Sequence, residues 1–423
     1  MGKLSSAFNQ LVKSEFSKNV SSQILGTGMA QVLPFLVTPL LTRLYTEDEF
    51  ALYTSFFALS SIFAVGVGGK YHTAIVLPKT FAKAMNIFWL SIYITMGYAL
   101  LLALVFVIFY SHIGKELGPL IYFIPVFVLF YGLWMALSNL SIREKRFKFN
   151  AIGKVLQSLT YVVVAAILGV LKITFFGLVL ARALGVVSSS TFLFWKLKIR
   201  TQLPNKKELR TTALKYIDYP KFGVIPAFLN TISSQALILV LDRYYLSDDL
   251  GNYGLTYMVL AAPLALIGNS FKDVFYQKIG VLIADHKKGQ ALLFFKRCAL
   301  ALFLAGLPIC ISLLLFGQEI FEIVFGAKWG KAGLFASILA ISFFIKLVVS
   351  PLSSLFNATN RLNIASRWQT AYFFSTFITL GLCATVFEMD VIDLMYVYVA
   401  HEIVLYILYF VLEYFTLKKY VFK

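Results

Sequence analysis

The chain has 423 residues, of which 59% are hydrophobic and only 14% charged, and its mean hydropathy is +0.80. A soluble domain of that composition would leave an unmanageable apolar surface, so lipid is the solvent the sequence calls for. The net charge of +18 would suit a nucleic-acid binder, but the basic residues sit in short segments between apolar runs, which excludes that class.

The first nineteen residues are polar and basic, and the apolar run after them is long enough to span, so no cleavable signal peptide is expected. Leu4, Phe8, Leu11 and Val12 fall on one face of a possible amphipathic helix lying on the membrane. Apolar runs of spanning length follow at 20–42, 50–68, 87–110, 118–140, 152–170 and 174–195, then at 222–241, 252–270, 292–315, 333–357, 369–387 and 391–416. The expectation is an all-α membrane protein of about twelve transmembrane helices, organised as a first lobe (1–195), a basic linker (196–221) and a second lobe (222–423).

With the N-terminus in the cytoplasm, the great majority of the 38 lysines and arginines lie in inside segments. Acids such as Glu47, Asp48, Glu49, Asp248, Asp249, Glu388 and Asp390 gather outside. This positive-inside bias places both termini in the cytoplasm and makes the basic excess mainly an orientation signal, with attraction to membrane lipid headgroups as a by-product. Cys298, Cys310 and Cys383 lie in or beside spans with no disulfide or metal spacing. No Walker A loop, sugar-nucleotide D-x-D motif or His/Cys cluster is present, so no cofactor or metal is expected.

One signature occurs twice, 200 residues apart: Arg43-x-Tyr45-x-x-Asp48-x-x-x-x-Tyr53 and Arg243-x-Tyr245-x-x-Asp248-x-x-x-x-Tyr253. Each copy separates two apolar runs. Paired lobes of this kind are how many transporters are built.

Several segments resemble the Wzx-type polysaccharide flippases of the multidrug, oligosaccharidyl-lipid and polysaccharide exporter superfamily. They are Pro39-Leu40-Leu41-Thr42-Arg43-Leu44-Tyr45-Thr46, Lys70-Tyr71 leading into Ala74-Ile75-Val76-Leu77-Pro78, Tyr219-Pro220-Lys221-Phe222, and Phe325-Gly326 with Trp329. Ala51 and His72 depart from the family pattern, which usually has glycine and an acid there, so the resemblance carries no cation site to that turn. The resemblance implies two six-helix lobes around a central cavity that opens alternately to each side. It also implies a bacterial inner-membrane location and, as cargo, an oligosaccharide on undecaprenyl diphosphate for O-antigen, capsule or exopolysaccharide. A polysaccharide polymerase and a chain-length regulator are the implied protein partners.

Such cargo needs cations in the bilayer, and charges inside spans are costly unless they face a cavity or a partner. Arg182, about 14 Å into the sixth span at 1.5 Å per residue, is the first phosphate-contact candidate, because guanidinium meets phosphate oxygens bidentately. The competing reading is a packing arginine. Lys346 in the tenth span is a second candidate, placed where its stem could instead snorkel to the interface. Glu402, beside His401 and taken as the only carboxylate so deep in a span, is either a site for a coupling proton or sodium ion or one half of an ion pair with Arg182 or Lys346.

Lys70 and Lys272 occupy matching places past the second and eighth spans and are candidates to draw in a diphosphate. Gln31, Asn230 and Gln235 are candidate cavity-lining polar groups, or interhelical hydrogen bonders. Arg43, Asp48, Asp242, Arg243 and Asp248 read as an outer salt-bridge network that gates or fixes the hairpins. Two other functions remain in view. A cation-coupled exporter of organic cations should present carboxylates in its cavity, and a polysaccharide polymerase or ligase should carry a substantial outer loop, which this chain lacks.

Overall fold

The computed structural model of the protein describes residues 15–110, 118–173, 175–199, 203–285 and 288–422. The expected amphipathic segment at Leu4–Val12 lies outside them. Among the described residues every regular element is a helix. In chain order the first are α1 (Glu15–Leu44), α2 (Glu47–Ala64), a 3-10 segment (Val67–Val76), α3 (Phe81–Ile108), α4 (Phe123–Arg143), α5 (Phe147–Val170), α6 (Gly177–Leu197) and α7 (Lys206–Lys215). The later ones are α8 (Asp218–Ser234), α9 (Ala236–Tyr244), α10 (Ser247–Pro263), α11 (Asn269–Ala284), α12 (Lys288–Phe325), α13 (Gly330–Val349), α14 (Leu355–Ala358), α15 (Leu362–Thr385) and α16 (Val391–Phe422).

Among the described residues eight helices are long and apolar enough to cross a membrane, and ten if two bent pairs each count as one. The bent pairs are α2 with the 3-10 segment, at 62°, and α8 with α9, at 52°. The expected count of twelve is not reached by this measure. α1 and α15 have spanning length, 30 and 24 residues, but lie outside the count.

The repeated signature folds the same way twice. Arg43 and Arg243 stand in the last turns of α1 and α9, where a cation meets the negative end of the helix dipole. Glu47, Asp48 and Glu49, then Asp248 and Asp249, fill the first turns of α2 and α10, where the dipole favours acids. The backbone bonds also match: Tyr45 N–H donates to Leu41 O and Tyr245 N–H to Leu241 O, and Phe50 N–H donates to Thr46 O and Leu250 N–H to Leu246 O.

Contacts divide the chain into two compact units. The first runs up to Val37 and resumes over Ser55–Phe228, and the second holds Thr38–Thr54 and everything from Leu229 onward. Both copies of the hairpin therefore belong to the second unit. There Trp329 Nε1 donates to Thr42 O (3.1 Å), the Thr42 hydroxyl to Phe325 O (2.9 Å) and Lys328 Nζ to Tyr45 O (2.7 Å). These bonds tie residues 42–45 to the turn between α12 and α13. Burial, with the Glu49 carboxylate beside it, pushes the Tyr45 phenol up to about 12.

In the first unit Ile87, Phe88, Ala136, Leu137 and Leu193 from α3, α4 and α6 form a buried core. The linker, expected as a hydrophilic connection, contains α7, which is opened by a capping box of Asn205 and Glu208. Leu209, Ala213 and Tyr216 dock α7 on that core, and the Tyr71 hydroxyl donates to Ala213 O (3.0 Å). In the second unit Phe275, Phe295, Leu352, Leu355 and Leu417 pack together. α12 crosses α13 at Gly317 and Gly333, where a Cβ on Gly333 would press on the α12 backbone. Small residues at crossings are how apolar helices approach closely in lipid.

Candidate functional site

A cavity of about 290 Å³ opens within the second unit. Its wall comes from α8 (Asn230, Ser234), α10 (Tyr253, Tyr257), α11 (Lys272), α13 (Phe343, Lys346), α15 (Trp368, Gln369, Tyr372) and α16 (Tyr398, Tyr406). Lys346, in the last turn of α13, forms an ion pair with Glu402 from the middle of α16. Its amine also lies 5.4 to 5.7 Å from the ring centroids of Phe343, Tyr398 and Tyr406, a cation–π cage. The Glu402 side chain is fully buried, and its Oε1 accepts a 2.7 Å hydrogen bond from the Tyr372 hydroxyl. His401 faces the other way, with Nε2 3.1 Å from Ser375 Oγ and Nδ1 4.0 Å from Glu402 Oε1.

Of the two partners open to Glu402, the structure therefore selects Lys346. The lysine does not snorkel, because the carboxylate and three rings hold it inside. Trp368 stacks on Tyr372 (5.0 Å) and Tyr409 (3.9 Å) and donates its indole N–H to Leu405 O (3.3 Å), so the aromatic wall is itself rigidly packed.

Arg182 lies in the first unit and in a different setting. α6 begins at Gly177, after a break where Lys172 adopts a φ of +58°, so Arg182 stands about 8 Å from the helix start at 1.5 Å per residue. The sequence had placed it about 14 Å in. Its guanidinium lies over the rings of Phe57 (5.3 Å) and Tyr161 (5.8 Å). Its Nε is buried without a hydrogen-bond partner, and no carboxylate pairs with it among the described residues.

A cation missed in the sequence joins it in this unit. Lys154 Nζ donates to Thr27 Oγ1 (3.0 Å), so this half-buried lysine of α5 points into the unit and does not belong to the surface charge that marks orientation. Lys154 and Tyr161 are seven residues apart on α5 and so share a face, about 10 Å apart along the axis. No Asp or Glu occurs in α3, α4, α5 or α6.

The remaining candidates separate. Lys272 lines the second unit's cavity, whereas Lys70 lies in the 3-10 segment of the first unit, near Gly223. Gly68, Gly69 and Lys70 all have left-handed φ, +55°, +51° and +62°, a run that glycine accepts and lysine disfavours. Asn230 lines the cavity, Gln235 is buried at the break between α8 and α9, and Gln31 is half-buried in the first unit.

At the hairpins, Lys331 pairs with Asp248 (3.0 Å) and Asp249 (2.5 Å), and Arg43 reaches Pro39 O of its own helix (3.5 Å). Asp48 stands in the first turn of α2, and Asp242 and Arg243 in the last turn of α9. Glu402 is not the only deeply buried carboxylate: Glu413, three turns further along α16, is 0% exposed, and both its oxygens lack a hydrogen-bond partner.

The chain matches a known family over residues 40–334, described as polysaccharide biosynthesis protein. No curated protein matches it. Its fold is similar to that of a multidrug resistance MATE family transporter of the MOP superfamily in an inward-facing conformation, with a TM-score of 0.74 at 13% identity, covering 92% of this chain and 95% of that one. The outward-facing conformation of a MATE family transporter gives a TM-score of 0.59 at 11% identity, covering 97% and 98%. A MOP superfamily transporter from Pyrococcus furiosus, described by the reversed polarity of its binding pocket, gives 0.63 at 13% identity, with the same coverage. At these identities the likeness shows the fold. With a match over well more than half its length, the chain belongs to the polysaccharide biosynthesis protein family and is a multi-pass membrane protein built on the fold of the MOP superfamily transporters.

Proposed function

We propose that the protein is a flippase that moves undecaprenyl diphosphate-linked oligosaccharide repeat units from the cytoplasmic to the periplasmic leaflet of the bacterial inner membrane by alternating access. It is not an enzyme in this reading, and it hands its cargo to a polysaccharide polymerase and chain-length regulator.

The observation that carries the reading is the charge of the first unit, where Arg182 and Lys154 lie on spanning helices that hold no carboxylate. A cation in lipid without a counter-ion is costly, and its cost is offset when an anion arrives. A diphosphate supplies that anion, with oxygens that guanidinium meets bidentately. An organic cation would find nothing there to pair with.

The test is deletion in the native host, following surface polysaccharide and lipid-linked repeat units together. Loss at the surface, with repeat units trapped on the cytoplasmic face and restored by the wild-type gene, is the expected result. Unchanged polysaccharide with new sensitivity to cationic dyes would instead favour an exporter of organic cations.

A further inference from the structure

The cavity of the second unit has chemistry that a diphosphate does not explain. Its buried cation, Lys346, is already neutralised by Glu402, and an incoming phosphate would have to strip that carboxylate away and leave it buried and unpaired. The other cation of its wall, Lys272, is exposed, where water weakens its hold on an anion. An organic cation fares no better, because the Glu402 carboxylate is already taken by Lys346 and the Tyr372 hydroxyl. What the cavity does offer is aromatic surface and neutral hydrogen-bonding groups. Tyr257 and Tyr406 are its partly exposed rings, and the buried Gln369 amide nitrogen has no hydrogen-bond partner. A buried donor without a partner is disfavoured unless a ligand or water completes it. Ring faces flanked by amide and hydroxyl groups suit a sugar, whose C–H faces lie on aromatics while its hydroxyls take up donors and acceptors. The volume of about 290 Å³ is at the small end for ligand pockets, the scale of one or two sugar rings.

We propose that this cavity is a saccharide subsite that receives one or two uncharged sugar rings of the cargo glycan against Tyr257 and Tyr406, with the Gln369 amide donating to a ring hydroxyl or acetamido oxygen. The proposal rests on the flippase reading and assigns the two chemistries of one cargo to different places: the diphosphate to the unpaired cations of the first unit and the glycan to the compensated, aromatic cavity of the second. Lys346 and Glu402 are then positioning residues that fix α13 against α16 and hold the aromatic wall.

The experiment uses purified full-length protein and the repeat-unit oligosaccharide released by mild acid from the native host's lipid-linked pool, so that lipid and diphosphate are absent. Trp368 lies in the cavity wall and serves as the reporter. The saccharide is expected to change the wild-type tryptophan emission and to leave Trp368→Phe unaffected. Gln369→Leu should bind about five- to tenfold more weakly, the scale of one hydrogen bond. Arg182→Ala should bind as wild type does, and inorganic pyrophosphate should not compete.

Competition by pyrophosphate, or equal affinity in Gln369→Leu and Tyr406→Leu variants whose circular dichroism and melting are normal, would overturn the subsite. Transport of the intact lipid-linked unit in proteoliposomes separates the two claims. Saccharide binding without transport removes the flippase reading and keeps the subsite, whereas transport with no Trp368-dependent binding does the reverse.

Discussion

The surroundings of Lys346 and Arg182 show two ways to keep a cation inside an apolar protein. Lys346 is matched by Glu402, enclosed by three rings and fixed between α13 and α16. Arg182 rests on two aromatic faces with no carboxylate, and Lys154 has one hydroxyl partner. A compensated pair gives structure and leaves little charge for a ligand. An uncompensated cation contributes little to structure and leaves a field that an anion can fill. In the proposed reading, the first unit's cations take the anionic part of the cargo head and the second unit's aromatic cavity takes its sugar.

This contrast can be broken by mutation, beginning with the pair. Glu402→Leu leaves Lys346 buried and unanswered and is expected to cost about 3–5 kcal/mol, read as a fall in the melting temperature of the detergent-solubilised protein. Adding Lys346→Met to Glu402→Leu should recover most of that loss. A double variant as unstable as the single one would show that the pair does not hold α13 to α16.

Overpacking at the helix crossing comes next. Gly333→Val puts a side chain against the α12 backbone and should cost about 1–3 kcal/mol, measured the same way. Arg182→Ala breaks no ion pair, so its melting temperature should stay near wild type while transport is lost, and Arg182→Lys should keep part of it. A large fall in stability with unchanged transport would make Arg182 a packing residue. The smallest effect is expected at Asp248→Ala. Its pair with Lys331 is partly exposed, with Lys331 36% and Asp248 47% accessible, and such a pair contributes at most about 1 kcal/mol.

Much of the frame was legible in the sequence, because apolar runs and turn chemistry are local. The hairpins at Arg43–Tyr53 and Arg243–Tyr253 repeat even in their backbone hydrogen bonds, at the same offsets from the shared Arg, Tyr and Asp. Partnership is where the sequence fell short. Glu402 had two eligible cations, and only the packing of α13 on α16 chooses Lys346. Lys154 is one of the basic residues that the charge bias counts toward orientation, and nothing local says that it reaches Thr27.

Gln369 and Glu413 gave no signal, since a single polar residue in an apolar helix reads alike whether it faces a cavity, a neighbour or headgroups. The assignment of residues 38–54 to the second unit was equally hidden, because it depends on contacts nearly 300 positions away, such as Thr42 with Phe325 and Trp329.

The most direct test of the central claim is flipping of an undecaprenyl diphosphate-linked oligosaccharide in proteoliposomes, comparing wild type, Arg182→Ala and the combined Arg182→Ala, Lys154→Met variant at equal, verified folding. The account predicts rapid transfer by wild type, severe loss in the first variant and none remaining in the second. Undiminished transfer by the double variant would contradict it, because the diphosphate would then cross without the first unit's unpaired cations.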